Sequence, residues 1–412
     1  MGPILPNPDS KINVLLANDH LGWSGTIMHG VGRLFLHWMS SFNRDKYNVI
    51  LYILSKDDPL KEHFESRGLK VSFLDKGKSN PLTFLRFLNI IRRERINVMH
   101  VQGYASSTFG RLARVLTGIP VLMHYHDPHA ECPWVQKISD HLLARYSDAC
   151  IAVSNYVKKL LIENGKVNGL DPDKIEVLYN CIPIKEFNIP EEKRFFIKKE
   201  FLNIDVETKV IGCVANLFEF KGHRYLLEAI PRIMSVFPRT RFLIVGDGPL
   251  RPDLEALSRQ LGIEKNIIFT GYYPHIPEML SVFDVKVVPS LGEVAPLPVG
   301  EGAPIVVLEA MAMGRPIVAT DVIEVLQDGV TGLIVRQKDP EAIAQSVINL
   351  LINTELAKRL GSNAKEESKK YDVHHYVRRL ENIYDDLVCR SRANKTLRGA
   401  IFPRWNQDLR SQ

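Results

Sequence analysis

The chain has 412 residues, of which 45% are hydrophobic and 24% charged, and carries a formal net charge of +6. That length exceeds one ordinary domain and suits two, and the balance is that of a globular protein rather than a disordered or fibrous one. No apolar run reaches membrane-spanning length, and the start Met1-Gly2-Pro3-Ile4-Leu5-Pro6 has neither a secretion signal's basic-then-apolar order nor, with Pro6, the residue a myristoylation signal needs. Cys132, Cys150, Cys181, Cys213 and Cys389 are scattered and form no Cys-x-x-Cys pair. They point to reduced thiols in a cytoplasmic protein and away from a disulfide framework or a zinc site. Residues 1–190 carry 23 basic and 18 acidic side chains, residues 191–388 carry 24 and 28, and residues 389–412 carry 6 and 1. A basic first half and tail suit an anionic membrane surface or acceptor as well as plain solvent, and no nucleic-acid motif accompanies the charge.

In chain order, short β-branched runs at Ile12–Ala17, Val49–Leu54, Lys70–Leu74, Val98–Val101, Pro120–Tyr125 and Ala149–Val153 read as strands, with amphipathic helices such as Pro81–Arg95 between them. A polar stretch near Ile184–Glu200 reads as a linker. The rhythm restarts with strands at Val210–Ala215, Arg241–Val245, Ile267–Thr270, Val285–Val288, Pro316–Ala319 and Gly332–Val335, then helices from Pro340 to about Cys389. Strands alternating with helices make parallel sheets covered on both faces. Two such domains leave a cleft at the carboxyl ends of their strands, where ligands bind. On the Pro81–Arg95 helix, Arg86, Arg92, Arg93 and Arg95 accompany Phe84, Phe87 and Ile91. That composition fits a peripheral membrane helix, and also an ordinary sheet-covering one.

The most informative stretch is Glu301-Gly302-Ala303-Pro304-Ile305-Val306-Val307-Leu308-Glu309-Ala310-Met311-Ala312-Met313-Gly314-Arg315-Pro316. Ala303 and Pro304 suit a helix start, and Gly314 with Pro316 its end. Glu309 then lies inside an almost wholly apolar helix, where a charge must be paired or meet a polar ligand. Backbone N–H groups at the start of that helix attract anions. The pattern Glu-Gly-x-x-x-x-x-Leu-Glu-Ala-Met-Ala-x-Gly-x-Pro resembles the donor-site signature of the retaining family 4 (group 1) glycosyltransferases.

The resemblance implies an α/β fold of two Rossmann-like domains facing each other across a cleft, the GT-B architecture. Residues 1–189 would form the acceptor-side domain and residues 190–370 the nucleotide-sugar domain. Residues 371–389 would be a helix crossing back to the first domain, and residues 390–412 a basic tail. It implies sugar transfer from a nucleotide-sugar, UDP- or GDP-linked, to the hydroxyl of a glycan, glycolipid or small molecule, with retention at the anomeric carbon and without a metal or other cofactor. Catalytic roles fall to Glu301, His126 and Lys221. Asn216, Lys221, Gly248, Tyr272, Gly302, Ala303, Pro304, Ile305 and Glu309 would bind the donor. Ser24, Gly25, His126 and Asp127 would line the acceptor side.

Several segments support the likeness. Asn216-Leu217-Phe218-Glu219-Phe220-Lys221-Gly222 matches the family's phosphate-binding turn, with Asn216 where Arg is common. Gly246-Asp247-Gly248-Pro249 matches its Gly-x-Gly-Pro turn, and Tyr272 or Tyr273 follows the strand whose end often meets the base. Asn18-Asp19-His20-Leu21-Gly22-Trp23-Ser24-Gly25-Thr26 stands where the family has a glycine-rich loop, and it is not a P-loop because no Gly-Lys-Ser/Thr follows. His124, His126 and His129 resemble no common zinc spacing; His126 best matches the family histidine and His124 suits a packed strand position. Ser154 suits a helix N-cap, and Asp171-Pro172-Asp173 reads as a turn before a short strand. After Asp321-Val322 the family's glycine pair is absent, and the Pro/Gly-rich stretch Gly292–Gly300 is longer than usual. Asn216 and the absent pair motivate a second reading, a catalytically silent relative that binds a sugar nucleotide or a protein partner. A nicotinamide oxidoreductase ranks low, since no Gly-x-Gly-x-x-Gly with a following acidic residue is present.

Overall fold

The computed structural model describes residues 11–23, 27–28, 30–56, 58–74, 80–126, 134–163, 172–294, 297–298 and 303–401. Two all-parallel sheets organise the chain. The first uses β1 (Ile12–Asn18), β2 (Tyr47–Ile53), β3 (Val71–Phe73), β4 (Val98–Gln102), β5 (Val121–Tyr125), β6 (Ala149–Ala152) and β7 (Ile175–Val177) in the order β3-β2-β1-β4-β5-β6-β7. The second uses β8 (Lys209–Val214), β9 (Thr240–Val245), β10 (Ile267–Gly271), β11 (Val285–Val288), β12 (Ile317–Thr320) and β13 (Leu333–Val335) in the order β10-β9-β8-β11-β12-β13. The central strands are largely apolar on both faces because helices cover both. Val14 and Leu16 of β1 enter one core while Leu15 and Ala17 enter another, and Val210 and Val214 of β8 part from Ile211 and Cys213 in the same way.

The helices that position the site are α1 (Gly30–Ser41), α2 (Pro81–Arg93), α3 (Tyr104–Thr117), α4 (Trp134–Leu143), α5 (Asn155–Glu163), α6 (His223–Val236), α7 (Ile305–Ala312) and α8 (Val373–Ile401). On α8, Val373, Tyr376, Val377, Leu380, Tyr384, Leu387 and Val388 are buried at helical spacing. Their stripe lies on the first domain: Tyr47 Oη donates to Asp385 (2.7 Å), and Arg379 grips Glu176 through Nε and Nη2 (2.5 and 2.6 Å). The chain thus crosses back from the second domain to the first.

One boundary moves and one open alternative is decided. The basic segment does not leave the helix at residue 390, because α8 runs on to Ile401. Arg, Ala, Lys and Leu extend a helix already nucleated, and no apolar stripe marked the extension. On α2, Phe87 and Ile91 are buried against the sheet and Phe84 packs beside them, so these side chains do not face a membrane. The exposed apolar residues of that helix are Leu82 and Leu85. No described helix is long and apolar enough to cross a membrane.

Candidate active site between the domains

Among the helices that begin beside the gap between the domains are α3 and α5 of the first domain and α6 and α7 of the second. Both α3 and α5 start against a carboxylate. Gly103 adopts φ 89, and a Cβ there would stand 2.9 Å from Asp19. Asp19, buried after β1, accepts the N–H groups of Tyr104, Ala105 and Ser106 (3.1, 3.1 and 2.9 Å) at the start of α3. At α5, Ser154 Oγ caps Val157 N–H (3.1 Å), as the sequence suggested. Glu324, from the second domain, accepts Asn155 N–H (3.0 Å), Tyr156 N–H (2.6 Å) and the Tyr179 hydroxyl (3.0 Å). The segment lacking the glycine pair therefore reaches across to the first domain.

The helices of the second domain start differently. α6 follows Gly222 and α7 follows Pro304, and in neither does a side chain cap the start among the described residues. Gly222 adopts φ 66, and a Cβ there would lie 1.9 Å from the Pro289 carbonyl oxygen. Only glycine lets the Lys221 turn sit directly on the end of β11. Gly248 serves a similar close fit: its missing Cβ would meet the Leu217 backbone at 2.8 Å, so the β9 turn closes on the β8 turn that carries Asn216. Tyr273 donates to Glu278 (2.6 Å) and packs on Phe201, whereas Tyr272 is exposed.

Glu309 is wholly buried on α7. Arg33 of α1 donates to its Oε1 across the gap, while Oε2 finds no partner among the described residues. Both alternatives open in the sequence thus meet in one carboxylate, which is paired on one oxygen and available on the other. Gly30 sits against Ile305, a Cβ there standing 3.1 Å from its Cδ1, and Asn180 Nδ2 donates to the Ala303 carbonyl (3.0 Å). The start of α7 therefore faces the first domain directly.

Two buried basic side chains lie near it. Lys286 of β11 has no exposed surface, and its Nζ has no partner among the described residues. Burial, with Lys221 adding like charge, pushes its pKa down to about 8, against the pull of Cys213 and Glu309. His223, the first residue of α6, has no partner on either ring nitrogen among the described residues, and burial beside Lys221 and Lys286 pushes it down to about 3. The ring is therefore a neutral donor and acceptor at physiological pH.

His126 follows β5 and stacks on His124, ring centroids 4.2 Å apart. His124 is buried and bonded to His100 (3.0 Å), which meets the Tyr384 hydroxyl of α8 (2.6 Å). Burial pushes His100 down to about 3 and His124 well below its usual value. Both rings are neutral, and the bonds from Tyr384 through His100 to His124 fix the ring beneath His126. Beside them, the Gln102 side chain at the end of β4 is buried with neither amide atom partnered.

The structure thus brings Asn216, Lys221, Gly248, Ala303, Pro304, Ile305 and Glu309 to one end of the second sheet, and His126 to the facing end of the first. Ser24, Gly25, Asp127, Glu301 and Gly302 lie outside the described residues, as do Ala295, Pro296, Val299 and Gly300 of the long loop. Among the described residues no group of three His, Cys, Asp or Glu is placed to hold a metal. Sequence reasoning missed Arg33, Lys286 and His223. Lys286 alone left a visible signal, a lysine inside an otherwise β-branched central strand.

A parallel two-sheet molecule with its polar groups gathered at facing strand ends is the GT-B class of fold. The Anabaena protein HepE, solved with UDP, superposes with a TM-score of 0.77 at 18% identity over 91% of this chain and all of that one. A glycosyltransferase from Rickettsia africae gives 0.77 at 21% over 92% and 99%. Residues 28–186 match the model described as Glycosyltransferase Family 4, and residues 208–353 the model described as Glycosyl transferases group 1. Between them these span most of the chain, which belongs to the family 4 (group 1) glycosyltransferases. Similar curated proteins include the Escherichia coli UDP-Gal:alpha-D-GlcNAc-diphosphoundecaprenol alpha-1,3-galactosyltransferase, 24% identical over 88% of this chain and 95% of that protein. Another is the Corynebacterium glutamicum D-inositol 3-phosphate glycosyltransferase, 25% identical over 73% and 75%.

Proposed function

We propose that this glycosyltransferase transfers a sugar from a nucleotide-sugar held in the second domain to a hydroxyl held by the first, with retention of configuration. The observation that carries the reading is a set of buried polar groups that find no partner among the described residues, Glu309 Oε2, Lys286 Nζ and both His223 nitrogens, beside two helix starts that no described side chain caps. Buried polar groups are ordinarily satisfied, so a polar anionic ligand belongs there. Glu309 Oε2 would accept from the ribose, Lys221 and the α7 start would meet the diphosphate, and Glu301 would hold the transferred sugar. The HepE complex favours UDP over GDP as the carrier.

Retention follows the family likeness. With no protein nucleophile assigned, the leaving diphosphate would take the acceptor proton as the sugar departs from the same face, with His126 beside the reacting centre. Catalysis would then rest on positioning and on charge stabilisation at the diphosphate. Neutralisation by Lys221 and the helix starts calls for no metal, and turnover should persist in EDTA. The test is transfer from a panel of UDP- and GDP-sugars, with the anomeric product read by NMR. Glu301→Ala should abolish turnover, and full activity in that variant removes the catalytic assignment.

The acceptor we favour is lipid-linked, met at the inner face of a membrane by a cytoplasmic enzyme. The neighbouring helices α2, α3 and α4 expose Leu82, Leu85, Val115, Leu116, Ile138 and Leu142, with exposed Arg86, Arg92, Arg93 and Arg95 alongside. Apolar side chains rimmed by arginines suit an anionic interface, and the Escherichia coli relative is named for a diphosphoundecaprenol acceptor. Sedimentation with anionic liposomes should be salt-sensitive and weakened by Leu85→Ser with Leu116→Ser; no binding to such liposomes would end this part of the reading.

A further inference from the structure

We propose that Lys286 supplies the second cation of the donor diphosphate site, in place of the arginine that family members commonly carry where this chain has Asn216. The inference rests on the donor-site reading above and deepens it. β11 is a central strand, with Lys286 opposite Gly212 of β8 and its N–H bonded to Pro316 O (2.9 Å). Val285 and Val287 belong to one core and Val288 to the other, so strand alternation places Lys286 with Val288, on the face that α7 covers.

Among the described residues no hydrogen bond explains an ammonium group at that place. Lys286 is fully buried, its Nζ has no hydrogen-bond partner among them, and the buried carboxylate on the covering helix, Glu309, is bonded to Arg33 instead. An isolated charge in such a core is costly, and a valine or isoleucine would fill the strand position without that cost. A cation retained under those conditions calls for an anion that arrives from outside.

The anion's place is marked by the turn above. Gly222 closes on the Pro289 carbonyl, and Leu291 N–H donates to Phe220 O (2.7 Å), so the turn bearing Lys221 rests on the residues that follow β11. Lys286, Lys221 and His223 are close enough to perturb one another electrostatically, and Glu309 acts on Lys286 from α7. A diphosphate between the starts of α6 and α7 would meet Lys221 from the turn and Lys286 from the sheet beneath. The charge missing at Asn216 is thereby restored from a different strand.

Calorimetry with UDP and GDP on the full chain tests this. The wild type should bind at least one of them, and Lys286→Met should weaken that binding by about tenfold or more. Because methionine removes a buried charge, the unliganded melting temperature should hold or rise while binding falls. Adding Asn216→Arg to Lys286→Met should bring affinity back to within about threefold of wild type, a recovery that a purely structural lysine would not allow. Lys286→Gln serves in the same scheme should the methionine variant fail to fold. Binding by the variant within about twofold of wild type overturns the proposal, as does a loss that Asn216→Arg does not recover. Should the wild type bind neither nucleotide, the donor-site reading itself fails and this inference falls with it; failure of the variant arm alone leaves that reading intact.

Discussion

The two domains treat their helix starts at the gap in opposite ways. In the first domain, α3 begins on Asp19 and α5 on Glu324, so the partial positive charge of each start is already met by a carboxylate. In the second, α6 and α7 begin without a described side-chain cap, beside buried groups that have no partner among the described residues. The same fold thus appears once with its anion sites filled by its own chain and once with them left open. The contrast supports the proposed donor site: an anion adds most where the protein has supplied none.

Filling and emptying these sites should separate stability from activity. The largest effect is expected from Asp19→Ala, which strips three N–H groups and a serine hydroxyl of a buried acceptor; urea unfolding should show a loss of about 3 kcal/mol. Lys221→Ala should instead leave the unfolding midpoint nearly unchanged and lower kcat/KM about 100-fold, near 2.7 kcal/mol of transition-state stabilisation. If Lys221→Ala unfolds the protein while Asp19→Ala spares it, the contrast is wrong.

Arg33→Met leaves the buried Glu309 without its counter-charge and should cost about 2 kcal/mol of stability, less than a fully buried pair because Arg33 is partly exposed. Glu324→Gln keeps the shape but removes the charge at α5, and should cost about 1 kcal/mol by the same unfolding measurement. The smallest effect concerns pH. Lys286 titrates near 8 in the folded chain and near its ordinary value of 10.5 when unfolded. Between those values the unfolded state binds more protons, so stability should rise with pH. From pH 7.5 to 8.5 the gain should be less than about 1 kcal/mol, and Lys286→Met should lack it.

Much of the architecture was legible because it follows from local pattern. The β-branched runs marked twelve of the strands, Val285–Val288 to the residue, since a buried parallel strand must be apolar on both faces. The closing strand Ile175–Val177 was read only as a short strand after a turn, being three residues long at a sheet edge. The extension of α8 escaped notice because it carries no apolar period. At the site, the apolar surroundings of Glu309 announced that its charge needed a partner, but not that Arg33 would take one oxygen and leave the other.

Sequence alone determined the two parallel sheets and the helix that carries Glu309, because period, turn residues and length act over a few neighbouring positions. Tertiary structure decided which charges meet. Arg33 and Glu309 are 276 positions apart, and Glu324 reaches Asn155 across 169. Whether a buried charge is satisfied depends on what the folded surroundings bring within hydrogen-bond reach, and no local pattern encodes that.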